Sequence, residues 1–228
     1  MVILITGASN GIGKYLSNHF ASKGFPVYGT FNLTETKNQP GITMCKVDVS
    51  DYKQVEGWIQ SLPLADKKIV LINSAGIAYN AFAHKADPEK WLEVLKVNLL
   101  GSFNTIRAAL PVMRAAGYGR IINISSVVAH SGVPGTSAYA ASKAALWGLS
   151  KSIAVENATK GITVNSLDLG YFNIGMIKSV PEEIQKEIMK KIPVQTFGDP
   201  KNIIGAVEFL MGSDYTTGEN LNINGGLY

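Results

Sequence analysis

The sequence has 228 residues, of which 46% are hydrophobic and 17% charged, a balance typical of globular proteins. This length fits one domain around a single core, so we predict one domain spanning residues 1–228. The formal net charge of +4 comes from scattered basic residues and indicates a mild preference for anionic ligands. No module of basic and aromatic residues predicts nucleic-acid binding, and no apolar run is long enough to span a bilayer.

Cys45 is the only cysteine, so the chain cannot form an internal disulfide. That favours a reducing compartment, and the first residues lack the basic start and cleavage site of a signal peptide. We therefore expect a cytoplasmic protein. The apolar stretch 42–47 around Cys45 predicts a buried strand thiol rather than a nucleophile.

Short β-branched runs alternate with helical patterns along most of the chain. The runs are continuously apolar, which is typical of strands that helices cover on both faces. We predict strands at 2–5, 27–31, 42–47, 69–72, 120–125, 162–167 and near 220–223, and helices at 13–23, 88–115, 138–160 and 200–211. This order predicts an α/β fold with a doubly wound, Rossmann-like parallel sheet, in which ligands bind beyond the carboxyl ends of the strands.

Two connections differ from this regular alternation. The segment between Phe31 and Ile42 is short for a helix and ends in a Pro-Gly turn. The segment 171–194 follows a strand end, and its Pro181-Glu182-Glu183 is a good first helical turn, so we expect a small helical lid there.

A glycine-rich loop directly follows the first predicted strand and precedes a helix. Such a loop lets the backbone approach a pyrophosphate, whose charge then meets the N–H groups at the start of the helix. An ordinary βα turn has a similar composition, but the strand–turn–helix context favours dinucleotide binding. The candidate cofactor-binding residues of this loop are Gly7, Ser9, Asn10, Gly11, Ile12 and Gly13.

The end of the second strand indicates the choice of dinucleotide. An acidic residue at this point favours NAD by binding the ribose 2′-hydroxyl. Here the strand ends without a carboxylate, and Thr30 and Asn32 are able to donate hydrogen bonds to a 2′-phosphate. No arginine lies at this strand end to bind the 2′-phosphate, although Lys14 and Lys37 are candidates for a supporting contact. The sequence thus favours NADP over NAD.

Tyr139 and Lys143 are four residues apart at the start of a predicted helix, so both side chains lie on one helical face. A nearby ammonium lowers the pKa of a phenol from about 10 towards the neutral range that a general acid requires. Ser126 follows a predicted strand, where its hydroxyl is able to hydrogen-bond the same substrate oxygen. We predict Ser126, Tyr139 and Lys143 as a catalytic set.

With these residues the chain resembles the short-chain dehydrogenase/reductase family, in its compact single-domain branch, over essentially its whole length. Within that family it looks most similar to 3-oxoacyl-acyl-carrier-protein reductases, chiefly through the stretch 161–165 and the C-terminus. The motifs that carry the resemblance are Thr6-Gly7-x-x-x-Gly11-Ile12-Gly13, Asp48-Val49, Asn73-Ser74-Ala75-Gly76, Asn98, Ser126, Tyr139, Lys143 and Gly218-Glu219-x-x-x-Ile223-x-Gly225-Gly226.

The resemblance implies further roles at matching positions. Asp48, with Val49, would hold the adenine, and Asn73, Ala75 and Gly76 would line the ribose. Lys143, with Tyr139, would also contact the nicotinamide ribose, and Asn98 would hold a water that relays protons to Lys143. Gly170 and Phe172 would contact the cofactor after the sixth strand.

Three positions depart from the family pattern. Ser74 replaces the second Asn of Asn-Asn-Ala-Gly, and Leu169 replaces the Pro of a Pro-Gly pair. Ile174 replaces a Thr that contacts the nicotinamide carboxamide, for which Asn173 or backbone groups are the candidate substitutes. These changes affect substrate identity and nicotinamide geometry more than the reaction class.

The sequence therefore predicts an NAD(P)-dependent oxidoreductase that interconverts a ketone and a secondary alcohol. A 3-oxoacyl thioester is the first substrate class, and a sugar, polyol or other small hydroxy compound is the alternative. The alternative from another class is a non-catalytic regulator that senses NADP. Such a regulator would have the same fold but would not need the proton donor Tyr139 or the proton relay through Lys143 and Asn98.

The remaining predictions concern partners and metals. An acyl carrier protein or a CoA thioester would bind a basic rim, for which Arg114, Arg120 and Lys160 are the candidates. The family resemblance implies a homotetramer or homodimer, with Trp91 and Trp147 either at the subunit contact or in the core. The three histidines have no metal-ligand spacing, so no metal site is predicted, and His130 is expected in a surface loop.

Overall fold

The computed structural model describes all residues from 1 to 228 except the side chain of Ser179. One seven-stranded sheet, with every strand parallel, has the order β3-β2-β1-β4-β5-β6-β7. The order reverses between β1 and β4, which creates the crevice where such folds bind ligands. The predicted doubly wound parallel sheet is confirmed. The strands are β1 (Val2–Thr6), β2 (Val27–Phe31), β3 (Ile42–Lys46), β4 (Ile69–Asn73), β5 (Gly119–Ser126), β6 (Ile162–Leu169) and β7 (Asn220–Ile223).

Helices cover both faces of the sheet. One core joins strand residues to Trp58, Ile106 and Ile153, and the other joins them to Phe20 and Val207. The helices are α1 (Gly11–Ser22), α2 (Tyr52–Ser61), α3 (Pro88–Leu95), α4 (Gly101–Ala116), α5 (Val128–Ser131), α6 (Ser137–Asn157), α7 (Glu182–Lys191) and α8 (Lys201–Gly212). In the part of the chain that the structure describes, no helix is both long and apolar enough to cross a membrane.

Sequence patterns missed two helices and merged two others. Asp51 caps α2 by accepting hydrogen bonds from the backbone N–H groups of Lys53 and Gln54, and this capping residue was the available signal. The four-residue α5 has too short a pattern to detect. The predicted helix 88–115 is two helices separated by a π-helical turn, Lys96–Leu100.

The connection between β2 and β3 contains no helix, as its short length predicted. β3 is an edge strand that pairs only with β2, and Cys45 is exposed on it. The prediction of a buried strand thiol is therefore wrong, because the apolar pattern of an edge strand does not ensure cover on both faces.

Candidate active site

A cleft of about 1350 Å³ lies at the carboxyl ends of the strands and extends from the glycine-rich loop to α7. β5 ends at Ser126, and α6 begins two residues before Tyr139. All three predicted catalytic side chains, Ser126, Tyr139 and Lys143, line this cleft. Residues that are 17 positions apart in sequence thus meet in one space because a strand end and a helix start face each other across the cleft.

Tyr139 is partly buried in the wall of the cleft, and its phenol is hydrogen-bonded to Ser126. Burial raises the pKa of Tyr139 to about 12, the Ser126 hydrogen bond acts in the opposite direction, and the neighbouring Tyr171 phenol raises it further. The expected lowering of this pKa by Lys143 is wrong for this structure, since burial in a low-dielectric site outweighs the other effects. At neutral pH the phenol therefore holds its proton.

Lys143 is only 4% exposed, and its Nζ donates a 2.7 Å hydrogen bond to the backbone carbonyl of Ile124 on β5. Its Nζ also lies 5.6 Å from the centre of the Tyr139 ring. Burial lowers the pKa of Lys143 to about 8, because a charged ammonium loses its hydration there. A group with this pKa exchanges protons readily near neutral pH.

Asn98 lies in the π-helical turn, a feature that is frequent at functional sites. Its amide exchanges two hydrogen bonds with the backbone of Ile77, at 2.8 and 2.9 Å. Its Nδ2 also donates to the Ser142 hydroxyl, which in turn donates to the carbonyl of Tyr139. Asn98 thus joins the turn after β4 to the helix that carries Tyr139 and Lys143.

The glycine-rich loop has the backbone that its sequence predicted. Gly7 and Gly11 have φ angles of +65° and +51°, which side-chain-bearing residues rarely adopt. A Cβ on Gly13 would lie 2.3 Å from the Gly7 carbonyl oxygen. The first N–H groups of an α-helix have no partner within the helix, and Gly11 and Ile12 at the start of α1 line the cleft, a position that suits an anion.

Thr6 holds this loop against the turn after β4. Its hydroxyl accepts hydrogen bonds from the backbone N–H groups of Ser74 and Ala75, both at 3.1 Å. The glycine-rich loop and the turn after β4 are therefore fixed relative to each other. The predicted cofactor residues that line the cleft are Gly7, Ser9, Asn10, Gly11, Ile12, Ala75, Gly76, Tyr139, Lys143, Gly170 and Phe172.

Other predicted cofactor residues lie outside the lining of this cleft: Gly13, Thr30, Asn32, Asp48, Val49 and Asn73. The amide of Asn73 is buried and hydrogen-bonded to Asn123 and Thr105, so this side chain connects β4 to β5 and α4. Thr30 is buried beside the loop, where its hydroxyl lies 3.4 Å from the Gly7 nitrogen, whereas Asn32 is exposed. The Asp48 carboxylate accepts two hydrogen bonds from Ser50.

The segment after β6 contributes residues that sequence reasoning did not single out. Tyr171 lines the cleft beside Tyr139, and its position directly after Gly170 at a strand end was the available signal. Ile174 also lines the cleft, whereas Asn173 is exposed and absent from the lining. This placement favours backbone groups over the side chain of Asn173 as the substitute for the family threonine.

The ionisable groups in the cleft wall favour anions. Its charged residues in the described part of the chain are Lys14, Lys143 and Lys178, and no carboxylate lines it. Among the described side chains, no group of three His, Cys, Asp or Glu residues is arranged to hold a metal ion.

The three candidates for a basic rim, Arg114, Arg120 and Lys160, do not line the cleft. Arg120 is the second residue of β5, at the end opposite the cleft, and it bonds to the backbone of Gly119 and Gly161. Arg114 bonds to Asn157 at the end of α6. His130 is at the surface as predicted, but it lies in α5 rather than in a loop, and its side chain contacts the buried Asp168.

Comparisons with known proteins agree with this geometry. A family model described as short chain dehydrogenase matches residues 1–185. The chain is 37% identical to the acetoacetyl-CoA reductase of Rhizobium meliloti (strain 1021), over 100% of this chain and 98% of that protein. It is 34% identical to the 3-oxoacyl-[acyl-carrier-protein] reductase of Haemophilus influenzae, with the same coverage of both chains. A proposed gluconate dehydrogenase from Agrobacterium tumefaciens shares the fold, with a TM-score of 0.91 and 24% identity over 99% of this chain and 95% of that one.

Proposed function

The chain belongs to the short-chain dehydrogenase family, and from that membership we propose that it reduces a 3-oxoacyl thioester to the 3-hydroxyacyl thioester with NADPH. As a member of the family it is an oxidoreductase that uses NAD(P) and acts on CH–OH groups. The observation that carries the proposal is the meeting of Ser126, Tyr139 and Lys143 with the glycine-rich loop in one cleft.

The chain's own residues fit a dinucleotide. A Cβ on Gly7 would lie 2.8 Å from the Cα of Ala75, so only a glycine fits where the loop meets the turn after β4. Lys14 and Lys143 place positive charge in the same wall. When bound, the nicotinamide supplies the hydride in reduction and accepts it in oxidation.

In this proposal Tyr139 is the general acid. Its phenol donates a proton to the carbonyl oxygen, and the Ser126 hydroxyl hydrogen-bonds the same oxygen as negative charge develops there. Lys143 then returns a proton towards Tyr139, and Asn98 orders the path that connects Lys143 to solvent. At neutral pH the Tyr139 phenol holds the proton that it would donate, although its raised pKa makes it a weaker acid than an ordinary tyrosine, and the lowered pKa of Lys143 favours return of a proton.

The protonation state of Tyr139 matches the reductive direction. With its pKa raised to about 12, Tyr139 is protonated at neutral pH, the form that carbonyl reduction uses, whereas oxidation of an alcohol requires the phenolate, which burial disfavours.

The wall of the cleft supports an acyl substrate over a sugar. On the substrate side it is mainly apolar and offers few groups that would hydrogen-bond the hydroxyls of a sugar or polyol. Both relatives named above reduce 3-oxoacyl thioesters by their names. The apolar residues of this wall are Val128, Val133, Pro134, Met176, Ile177, Val180, Ile184 and Ile188.

We propose NADP as the preferred cofactor because β2 ends without a carboxylate and Lys14 lines the cleft. A carboxylate at Asn32 would repel a 2′-phosphate. The variant Asn32→Asp is therefore expected to lower the ratio of kcat/KM for NADPH to that for NADH by about 10-fold or more, which corresponds to about 1.4 kcal/mol. An unchanged ratio would show that this position does not contact the ribose.

We propose a homodimer or homotetramer as the working form. Leu92, Leu100 and Phe103, on α3, the π-helical turn and α4 respectively, are each more than 40% exposed, and exposed apolar side chains of this kind favour self-association. Sedimentation equilibrium gives the assembly state. The proposed carrier of the acyl group is either a carrier protein or CoA. Assays with a 3-oxoacyl carrier protein and with acetoacetyl-CoA distinguish the two.

The function is tested by following NADPH oxidation with acetoacetyl-CoA, a 3-oxoacyl carrier protein, a keto-sugar and a small ketone. Turnover of a thioester at a kcat/KM at least about 100-fold above that of the keto-sugar is expected. NADPH binding without turnover of any ketone would favour the regulator instead, and preferred turnover of the keto-sugar would favour the sugar or polyol reaction.

A further inference from the structure

A buried carboxylate lies directly behind the proposed catalytic residues. Asp168 on β6 has no exposed surface and pairs in register with Ser125, the residue before Ser126. A buried carboxylate is costly unless its oxygens are hydrogen-bonded. Its partners therefore show which elements depend on it.

Each carboxylate oxygen of Asp168 contacts a side chain on a different helix. Oδ1 accepts a 2.8 Å hydrogen bond from the indole N–H of Trp147, which lies one helical turn after Lys143 on α6. Oδ2 lies 3.2 Å from Nε2 of His130 in α5, the short helix that follows Ser126. Asp168 thus joins the element after Ser126 to the helix that carries Tyr139 and Lys143.

Ser125 adds a second connection between β5 and α6. Its hydroxyl lies 3.2 Å from the indole nitrogen of Trp147 and donates to the backbone carbonyl of Lys143 at 3.0 Å. The turn of α6 between Lys143 and Trp147 is therefore hydrogen-bonded to both β5 and β6.

Two aromatic rings hold His130 in place. The centre of its imidazole lies 4.4 Å from that of Trp147 and 4.5 Å from that of Tyr228. The imidazole thus contacts two aromatic rings while its Nε2 lies near Asp168. His130 does not line the cleft, so this cluster acts on the reaction only through the elements it joins.

We propose that Asp168 is a positioning residue for the reaction: through Trp147 and His130 it sets the distance between the Ser126 hydroxyl and the Tyr139 phenol. The inference rests on the proposed function, because the alignment that Asp168 maintains serves the proposed proton transfer from Tyr139 to the substrate oxygen. A shift of about 1 Å in a reacting group can lower a rate about 100-fold, whereas most of the proposed cofactor contacts lie in the glycine-rich loop and the turn after β4, which Asp168 does not contact.

The test compares Asp168→Ala with Asp168→Asn in the full-length enzyme. Asp168→Ala is expected to lower kcat by about 10- to 100-fold while the Kd for NADPH changes less than about 2-fold. Asp168→Asn keeps an acceptor for Trp147 and a polar group for His130, so it is expected to restore most of kcat. Trp147→Phe, which keeps a ring but loses the N–H, tests the same contact if Asp168→Ala does not fold.

Asn165→Ala is the matched control. Asn165 lies on the same strand, is 1% exposed, and makes two hydrogen bonds to backbone groups of residues 216 and 219, away from α5 and α6. It is expected to lower stability without changing kcat. Hydrogen exchange gives a readout independent of activity: amides of residues 127–131 should exchange faster in Asp168→Ala than in Asn165→Ala.

Equal kcat values for Asp168→Ala and Asn165→Ala, or equal exchange in residues 127–131, would overturn the positioning role. Failure of Asp168→Asn to restore kcat would also overturn it, because the geometry would then not be what Asp168 provides. If the wild-type enzyme reduced no ketone, the proposed function would fail instead, and the hydrogen-exchange comparison would still test the connection.

Discussion

Two helices face the same cleft, α6 and α7, and they are held in very different ways. α6 buries eight residues, among them Ser142 and Lys143, and hydrogen bonds join it to β5, β6 and the π-helical turn. α7 buries none, and its Ile184 is 52% exposed although it lines the cleft. In the proposed reaction, the fixed side carries the groups that transfer protons, and the loosely held side covers the substrate.

The stability of the two helices has different sources. α6 depends on the core and on buried hydrogen bonds. α7 has Glu182 and Glu183 in its first turn and Lys190 and Lys191 in its last, which offsets the helix dipole without burial. The comparison therefore predicts that changes in α6 affect rate and stability, whereas changes in α7 affect substrate selection.

The largest effect is expected from Tyr139→Phe. Removal of the general acid should lower kcat by about 100- to 10,000-fold while NADPH binding is retained, because the phenyl ring keeps the packing. Steady-state kinetics and cofactor titration measure the two effects. Tyr215→Phe, at a residue that is 99% exposed, is the matched control. Near-normal turnover by Tyr139→Phe would remove α6 from the chemistry.

The next effect is a pH dependence of stability from Lys143. Its pKa is about 8 in the folded protein and near 10.5 when unfolded, so between these values the unfolded chain binds more protons. The free energy of unfolding should therefore rise with pH from 8 towards 10.5, and the rise should be absent in Lys143→Met. The total rise attributable to Lys143 is up to about 3 kcal/mol, at about 1.4 kcal/mol for each pH unit.

Urea unfolding of both proteins at pH 7.5 and pH 9.5 measures this difference, below the range where Tyr139 titrates. Lys151→Met, at an exposed position of the same helix, should show the wild-type slope. A wild-type slope in Lys143→Met as well would mean that the Lys143 ammonium is not destabilised by burial.

A smaller effect is expected from Ile184→Ser on α7. Loss of apolar contact should raise KM for a long-chain 3-oxoacyl thioester by about 5-fold, while KM for acetoacetyl-CoA and kcat change less than about 2-fold. Kinetics across a series of chain lengths measure the contrast. A fall in kcat for every substrate would show that α7 also positions the reacting groups.

The smallest effect is expected from Lys190→Ala on the outer face of α7. Its ion pair with Glu187 is exposed at both ends, and such pairs contribute little to stability. The thermal midpoint and kcat should both stay at the wild-type value in scanning calorimetry and in the standard assay. A clear loss of either would show that the solvent-facing side of α7 is not neutral.

Sequence alone determined the features that depend on local spacing. The i, i+4 relation of Tyr139 and Lys143 and the Gly-x-x-x-Gly-x-Gly loop follow from helix and turn geometry, which a few neighbouring residues set. The alternation of strands and helices likewise predicted a parallel sheet, because a helix between two consecutive strands returns the chain to the same edge of the sheet. These features needed no knowledge of distant contacts.

Tertiary structure decided what depends on burial and on residues far apart in sequence. Only the folded chain shows that burial raises the pKa of Tyr139, that Cys45 is on an exposed edge, and that Asp168 joins His130 to Trp147. The strength of a charge and the cost of a buried polar group depend on the surrounding dielectric, which all the packed elements create together. No local pattern contains that information.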